Sequence, residues 1–182
     1  KHILGSRSTG MKFNRLLILA VIALVLLIPI SSASAHHPIW SDEDITAINN
    51  LRTSFAFYRN LPADKIHVYT FEGKQGQNLH AGTNIPAVKG LEDYAVTMAL
   101  FGPSLPEVDH DLLPPEHPEN LGALIFPSEV SADFFESFTQ TLYWGRQSIE
   151  MALPADGEYY LVIWQPDGIA GKYVLDSGRA EV

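Results

Sequence analysis

A chain of 182 residues with 21 acidic against 12 basic side chains, a net charge of −9 and no cysteine lacks the positive field that draws nucleic-acid phosphates or anionic lipid. It also lacks any thiol for disulfides, thiolate metal sites or covalent catalysis. After residue 35 the imbalance steepens: 8 basic residues face all 21 acidic ones across 147 residues, a net of −13, on a length that suits one domain held by its apolar core alone.

Residues 1–10 have no apolar pattern and precede a natural-looking start at Met11, so no role is assigned to them. Residues 11–35 read as a secretory signal peptide: Lys12 and Arg15 form a basic start, residues 16–30 are apolar with one late interruption at Pro29, and Ala33-Ser34-Ala35 supplies the small residues of a cleavage site. As a helix that apolar run spans ~22 Å, short of the ~30 Å hydrocarbon core. Cleavage after Ala35 is therefore expected, releasing a domain over 36–182 to the periplasm or the exterior. An uncleaved leader would tether the same domain to the outer face of the inner membrane.

Next, Ser41 or Asp42 is placed to cap a short helical turn within 42–51. Strands are predicted over 54–59, 65–72, 78–84, 94–101, 121–126, 142–153, 157–164 and 171–175, from alternation and turn spacing. In the clearest, Ile66, Val68 and Thr70 face one way while His67, Tyr69 and Phe71 face the other. Pro103 to Asn120 holds five of the twelve prolines and five acidic residues; proline removes ladder donors, so a long solvated surface loop is expected. Residues 131–138 fit a strand or a helix equally. Two turns, Pro154-Ala155-Asp156-Gly157 and Pro166-Asp167-Gly168, bracket an apolar core strand with glycines able to take positive φ. Eight or so short strands without long helical periods define an all-β antiparallel sandwich or jelly roll.

The run 65–76, Lys-Ile-His-Val-Tyr-Thr-Phe-Glu-Gly-Lys-Gln-Gly, together with 153–162, Leu-Pro-Ala-Asp-Gly-Glu-Tyr-Tyr-Leu-Val, and 171–175, Gly-Lys-Tyr-Val-Leu, resembles the bacterial pre-peptidase C-terminal domain. That family is similar to the collagen-binding-type jelly rolls of secreted proteases, and the likeness spans roughly residues 51–178. It implies an accessory, non-catalytic role. Where the family carries Asp-x-Asp-x-Tyr, this chain has Lys65, His67 and Tyr69, so both acidic positions are absent.

Three groups of side chains carry candidate chemistry. Cleavage before His36 would join an α-amine to an imidazole, with His37 adjacent, a compact nitrogen arm suited to Cu²⁺; a third nitrogen would come from His67, His80, His110 or His117. Only the terminal residue resembles the histidine brace of copper monooxygenases, and two polar residues that simply make a soluble, cleavable junction are the simpler explanation, requiring nothing else. The loop residues Asp109, His110, Asp111, Glu116 and His117 mix oxygen and imidazole donors for weak Ca²⁺ or Zn²⁺ binding, without the spacing of any known ion loop. Phe134, Phe135, Phe138, Tyr143 and Trp144 crowd one stretch; Phe135 and Phe138 suit a core, whereas Tyr143 and Trp144 form a possible contact surface for an extracytoplasmic protein, peptide or glycan. No Gly-x-Ser-x-Gly, His-Glu-x-x-His or phosphate-cradling loop occurs, so the chain reads as an exported binding module, or alternatively as an exported copper protein.

Overall fold

The computed structural model describes residue 18 and residues 36–180, which fall in separate units of the chain. The signal-peptide helix expected over 11–35 lies outside the described residues apart from Ile18, which is helical.

The larger unit is an all-β sandwich. One sheet has six strands in the order β1 (His37–Trp40), β3 (Phe55–Leu61), β11 (Gly171–Ser177), β5 (Asn78–Pro86), β9 (Thr141–Ala152) and β8 (Phe134–Glu136). The other has five: β2 (Ile45–Ala47), β4 (Ile66–Gly73), β10 (Gly157–Trp164), β6 (Thr97–Gly102) and β7 (Gly122–Phe126). The eight predicted strands correspond to β3 to β7 and β9 to β11. The turn glycines behave as their positions require, with φ of 144° at Gly157 and 66° at Gly168.

Between the sheets, the inward rows Phe57, Leu61, Leu79, Ile85, Tyr173 and Leu175 from one side meet Tyr69, Phe71, Met98, Leu100, Tyr159 and Leu161 from the other. Alternation puts the polar His67 on that same buried face, where its Nδ1 lies 2.7 Å from the Tyr173 hydroxyl, itself 2.9 Å from that of Tyr69. The Arg59 guanidinium is buried beside them, 5.7 Å above the Tyr69 ring.

Two expectations are corrected. Residues 42–51 do not form a helical turn. They continue a strap that pairs in parallel with β3 through β1 and with β4 through β2, crossing from one sheet edge to the other. Arg59 fastens it by donating to the Glu43 carbonyl and, at 3.1 Å, to Thr46 Oγ1; pairing with an existing edge outweighs the capping signal at Ser41 or Asp42. Nor is the proline-rich segment after β6 merely solvated. Val108, Leu113 and Leu121 pack onto Ala99, Phe101, Val162 and Trp164, the outer face of the five-stranded sheet. That cover explains why β4 is apolar on both faces: Ile66 and Val68 join the covered outer cluster. Its close approach shows at Gly122, where any side chain would collide with the Leu105 carbonyl, and at Ala123, whose N–H donates to Pro106 O at 2.8 Å. Within the ambiguous stretch 131–138 only Phe134–Glu136 is regular, forming the edge strand β8.

Candidate functional site

Among the described residues the outer face of the six-stranded sheet has no such cover, and its side chains follow from strand register. Trp40 stands opposite Tyr58, Tyr58 opposite Val174, and Val174 opposite Asn84. One step along, Ala56 faces Asp176 and Asp176 faces Gly82. Ala56, Tyr143 and Val174, with Tyr58 against them, make a small apolar floor.

On β5 the outward residues are His80, Gly82 and Asn84, two apart as strand geometry demands. The Asp176 carboxylate lies flat over Gly82, where an added Cβ would come within 2.8 Å of Oδ1. From that position it accepts from His80 Nε2 at 2.9 Å and from Asn84 Nδ2 at 2.7 Å. The glycine is thus required by the site rather than by a backbone angle. With Nε2 held by a carboxylate, the imidazole is fixed in orientation. Its Nδ1 is buried without a hydrogen-bond partner, 3.8 Å from Glu150 Oε2, to which Arg179 also donates at 2.5 Å.

Two cavities open on this floor and share Tyr58, Tyr143 and Val174. The first, of about 260 Å³, adds His36, Asn84, Phe134, Glu136, Asp176 and Arg179, with His80 at its wall. The second, of about 340 Å³, adds Trp40, Asn60, Pro86, Val88 and Lys172. Trp40 is 62% exposed, yet its ring is backed by Tyr58 at 5.1 Å and 15°, so one indole face is held and the other is presented. Phe138 stands 6.3 Å from it. Burial, then the proximity of Tyr143 and Glu136, pushes the Tyr58 phenol up to about 12, against the opposing hydrogen bond with Thr139; it stays neutral.

The residues singled out from sequence are dispersed over this architecture. Tyr143 is in the floor, 4% exposed and stacked on Phe134 at 5.4 Å. Trp144, one residue on, points through the sheet and packs against the main core. His36 lines the first cavity, its Nδ1 2.5 Å from Ser54 Oγ, while His37 is exposed and edge-on to Phe55 at 5.8 Å. Asp109 and Asp111 are exposed, and the Asp111 N–H donates to the Asp109 side-chain Oδ1 at 3.1 Å. His110 begins the short 3-10 turn His110–Leu112. His117 turns toward the sheet instead, 2.7 Å from Pro114 O through Nδ1 and stacked at 6.0 Å on Phe101. Among the described residues no group of three or more His, Asp or Glu is arranged to hold a metal ion. Sequence reasoning passed over Tyr58, Asn84, Glu136, Asp176 and Arg179. The only local signal was the outward sequence His80, Gly82, Asn84, since the partners of that row come from remote strands.

No protein-family model matches the chain, and no curated protein does. Solved structures similar to it include a periplasmic inhibitor of g-type lysozyme from Aeromonas hydrophila, 15% identical, with a TM-score of 0.40 over 76% of this chain and 98% of that one. A surface-associated copper-binding protein of Methylomicrobium album is 12% identical, with a TM-score of 0.36 over 78% and 100%. The pre-peptidase C-terminal domain of a Bacillus anthracis collagenase, from the family that residues 65–76 and 153–162 resemble, is 17% identical, with a TM-score of 0.37 over 74% and 94%.

Proposed function

We propose that this chain is an exported, non-catalytic binding module that takes its ligand on the outer face of the six-stranded sheet. The observation that carries the reading is Trp40: a large apolar ring, 62% exposed, held flat by Tyr58 beside two adjoining cavities. Isolated surface apolar residues are ordinary, but a rigid exposed ring joined to a lined concavity is how binding surfaces are built. The leader at 11–35 supports export. Among the described residues, the serine hydrogen-bonded to a histidine, Ser54 with His36, supports the non-catalytic part: Ser54 is 3% exposed, which keeps a substrate carbonyl from its hydroxyl.

Screening the processed protein against exported proteins and cell-envelope glycans, then repeating each hit with Trp40→Ala, tests this. The variant should fold normally and bind about tenfold more weakly, the loss expected for one well-placed aromatic contact. Hits that keep full affinity in Trp40→Ala would remove this face as the binding surface.

A second reading, copper binding, has its own support: His36 and His80 line one cavity, and cleavage after Ala35 would add the α-amine of His36. Two imidazoles and an amine suit Cu²⁺. Calorimetric titration of the processed protein with Cu²⁺ should then give one site that is lost in both His36→Ala and His80→Ala. Affinity no greater than that of a His-His-Pro peptide would end this reading.

A further inference from the structure

We infer that the two cavities on the outer face are adjoining subsites for a neutral oligosaccharide. The inference rests on the reading of that face as the binding surface and names the ligand class it fits. Trp40 offers one open ring face with the other immobilised on Tyr58, the arrangement that suits the apolar face of a pyranose, since stacking needs a flat partner that loses no freedom on binding. Three residues away across the sheet, in the same row of paired positions, Asn84 is held by Asp176 through one amide hydrogen. Its carbonyl and second amide hydrogen remain to accept from and donate to vicinal hydroxyls.

Charge selects against anions. Glu136 and Asp176 face Arg179 and Lys172 around the two cavities, and Arg179 is itself paired with Glu150, so no excess positive charge is offered to a phosphate. The domain's net of −13 over 36–182 repels anionic polymers further. A peptide that binds by strand addition needs a sheet edge, and this sheet ends in β1 and β8, of only four and three residues. What is exposed here is a face. Because the cavities share Tyr58, Tyr143 and Val174, a ligand longer than one ring can occupy both.

Isothermal titration of the processed protein with β-1,4-linked hexamers of glucose and of N-acetylglucosamine, their monosaccharides, and a lysine-rich decapeptide decides the matter. A neutral hexamer should bind more tightly than its monosaccharide, and Trp40→Ala and Asn84→Ala should each weaken it about tenfold. Hexamer binding that is indifferent to both substitutions overturns the subsites. Trp40-dependent binding of the peptide and of neither hexamer overturns the sugar while leaving the binding face intact. If nothing binds in a Trp40-dependent manner, both fall.

Discussion

Replacing Tyr159 with alanine is expected to remove about 4 kcal/mol of stability, the usual cost of deleting a fully buried aromatic ring. Tyr159 is 0% exposed and lies parallel to Phe71, with ring centroids 5.6 Å apart at 7°. Its hydroxyl is satisfied within its own turn, donating to Ala155 O at 2.8 Å and accepting from Ala155 N–H at 3.3 Å. The chain makes room for the ring on both sides with Gly73 and Gly102, where a Cβ would collide with it. With glycine at both flanking positions, few side chains can shift into the space the ring leaves, so much of the void persists. Tyr159→Phe keeps the packing and loses only the turn contacts, at about 1 kcal/mol. Urea unfolding of both variants checks this; a Tyr159→Ala cost close to that of Tyr159→Phe would mean that the ring is not the plug at this end of the sandwich.

The strands were readable because each carries its own alternation. Residues 65–72 need no knowledge of their neighbours to show two faces, and the turn at 154–157 announces itself through proline and glycine. The strap resisted for the opposite reason: three residues at 45–47 become a strand only because β4 offers an edge, and a Ser or Asp followed by acidic residues is locally indistinguishable from a helix start. The face proposed for binding was hidden by the same non-locality. Tyr143 and Trp144 look like a pair in sequence, but a strand sends adjacent residues to opposite faces, so Tyr143 lies with Tyr58 and Asn84 while Trp144 joins the core. Asp176 and Gly82 are 94 positions apart in a register that no short-range pattern predicts. In the proline-rich segment, composition showed the charge of Glu107 to Glu119 plainly, yet Val108 and Leu113, which hold the segment down, stand among acids and prolines that mask them.

Acidification should weaken the fold through His67. This imidazole is 1% exposed between the sheets, and burial, then the nearby Arg59 guanidinium, lowers its pKa from 6.5 to about 4, against the pull of Asp44 and Asp42 on the strap. Its partners do not share the proton: burial pushes the Tyr69 phenol up to about 12 and raises Tyr173 further. Above pH 6.5 both folded and unfolded chains hold His67 neutral, so the residue contributes no pH dependence. Between pH 6.5 and 4 the unfolded chain takes up a proton that the native state refuses, and stability falls with pH by up to about 3 kcal/mol. A proton forced onto His67 places a second cation beside Arg59, whose bonds to Glu43 and Thr46 fasten the strap. Amide exchange at 41–47 should therefore accelerate before exchange in β10 and β11 does. His67→Gln retains a group able to meet the Tyr173 hydroxyl but cannot titrate, so its stability should change far less between pH 7 and 4.5. Urea unfolding at those two pH values separates the cases: equal losses in the wild type and in His67→Gln would place the acid sensitivity in the carboxylates instead of this buried imidazole.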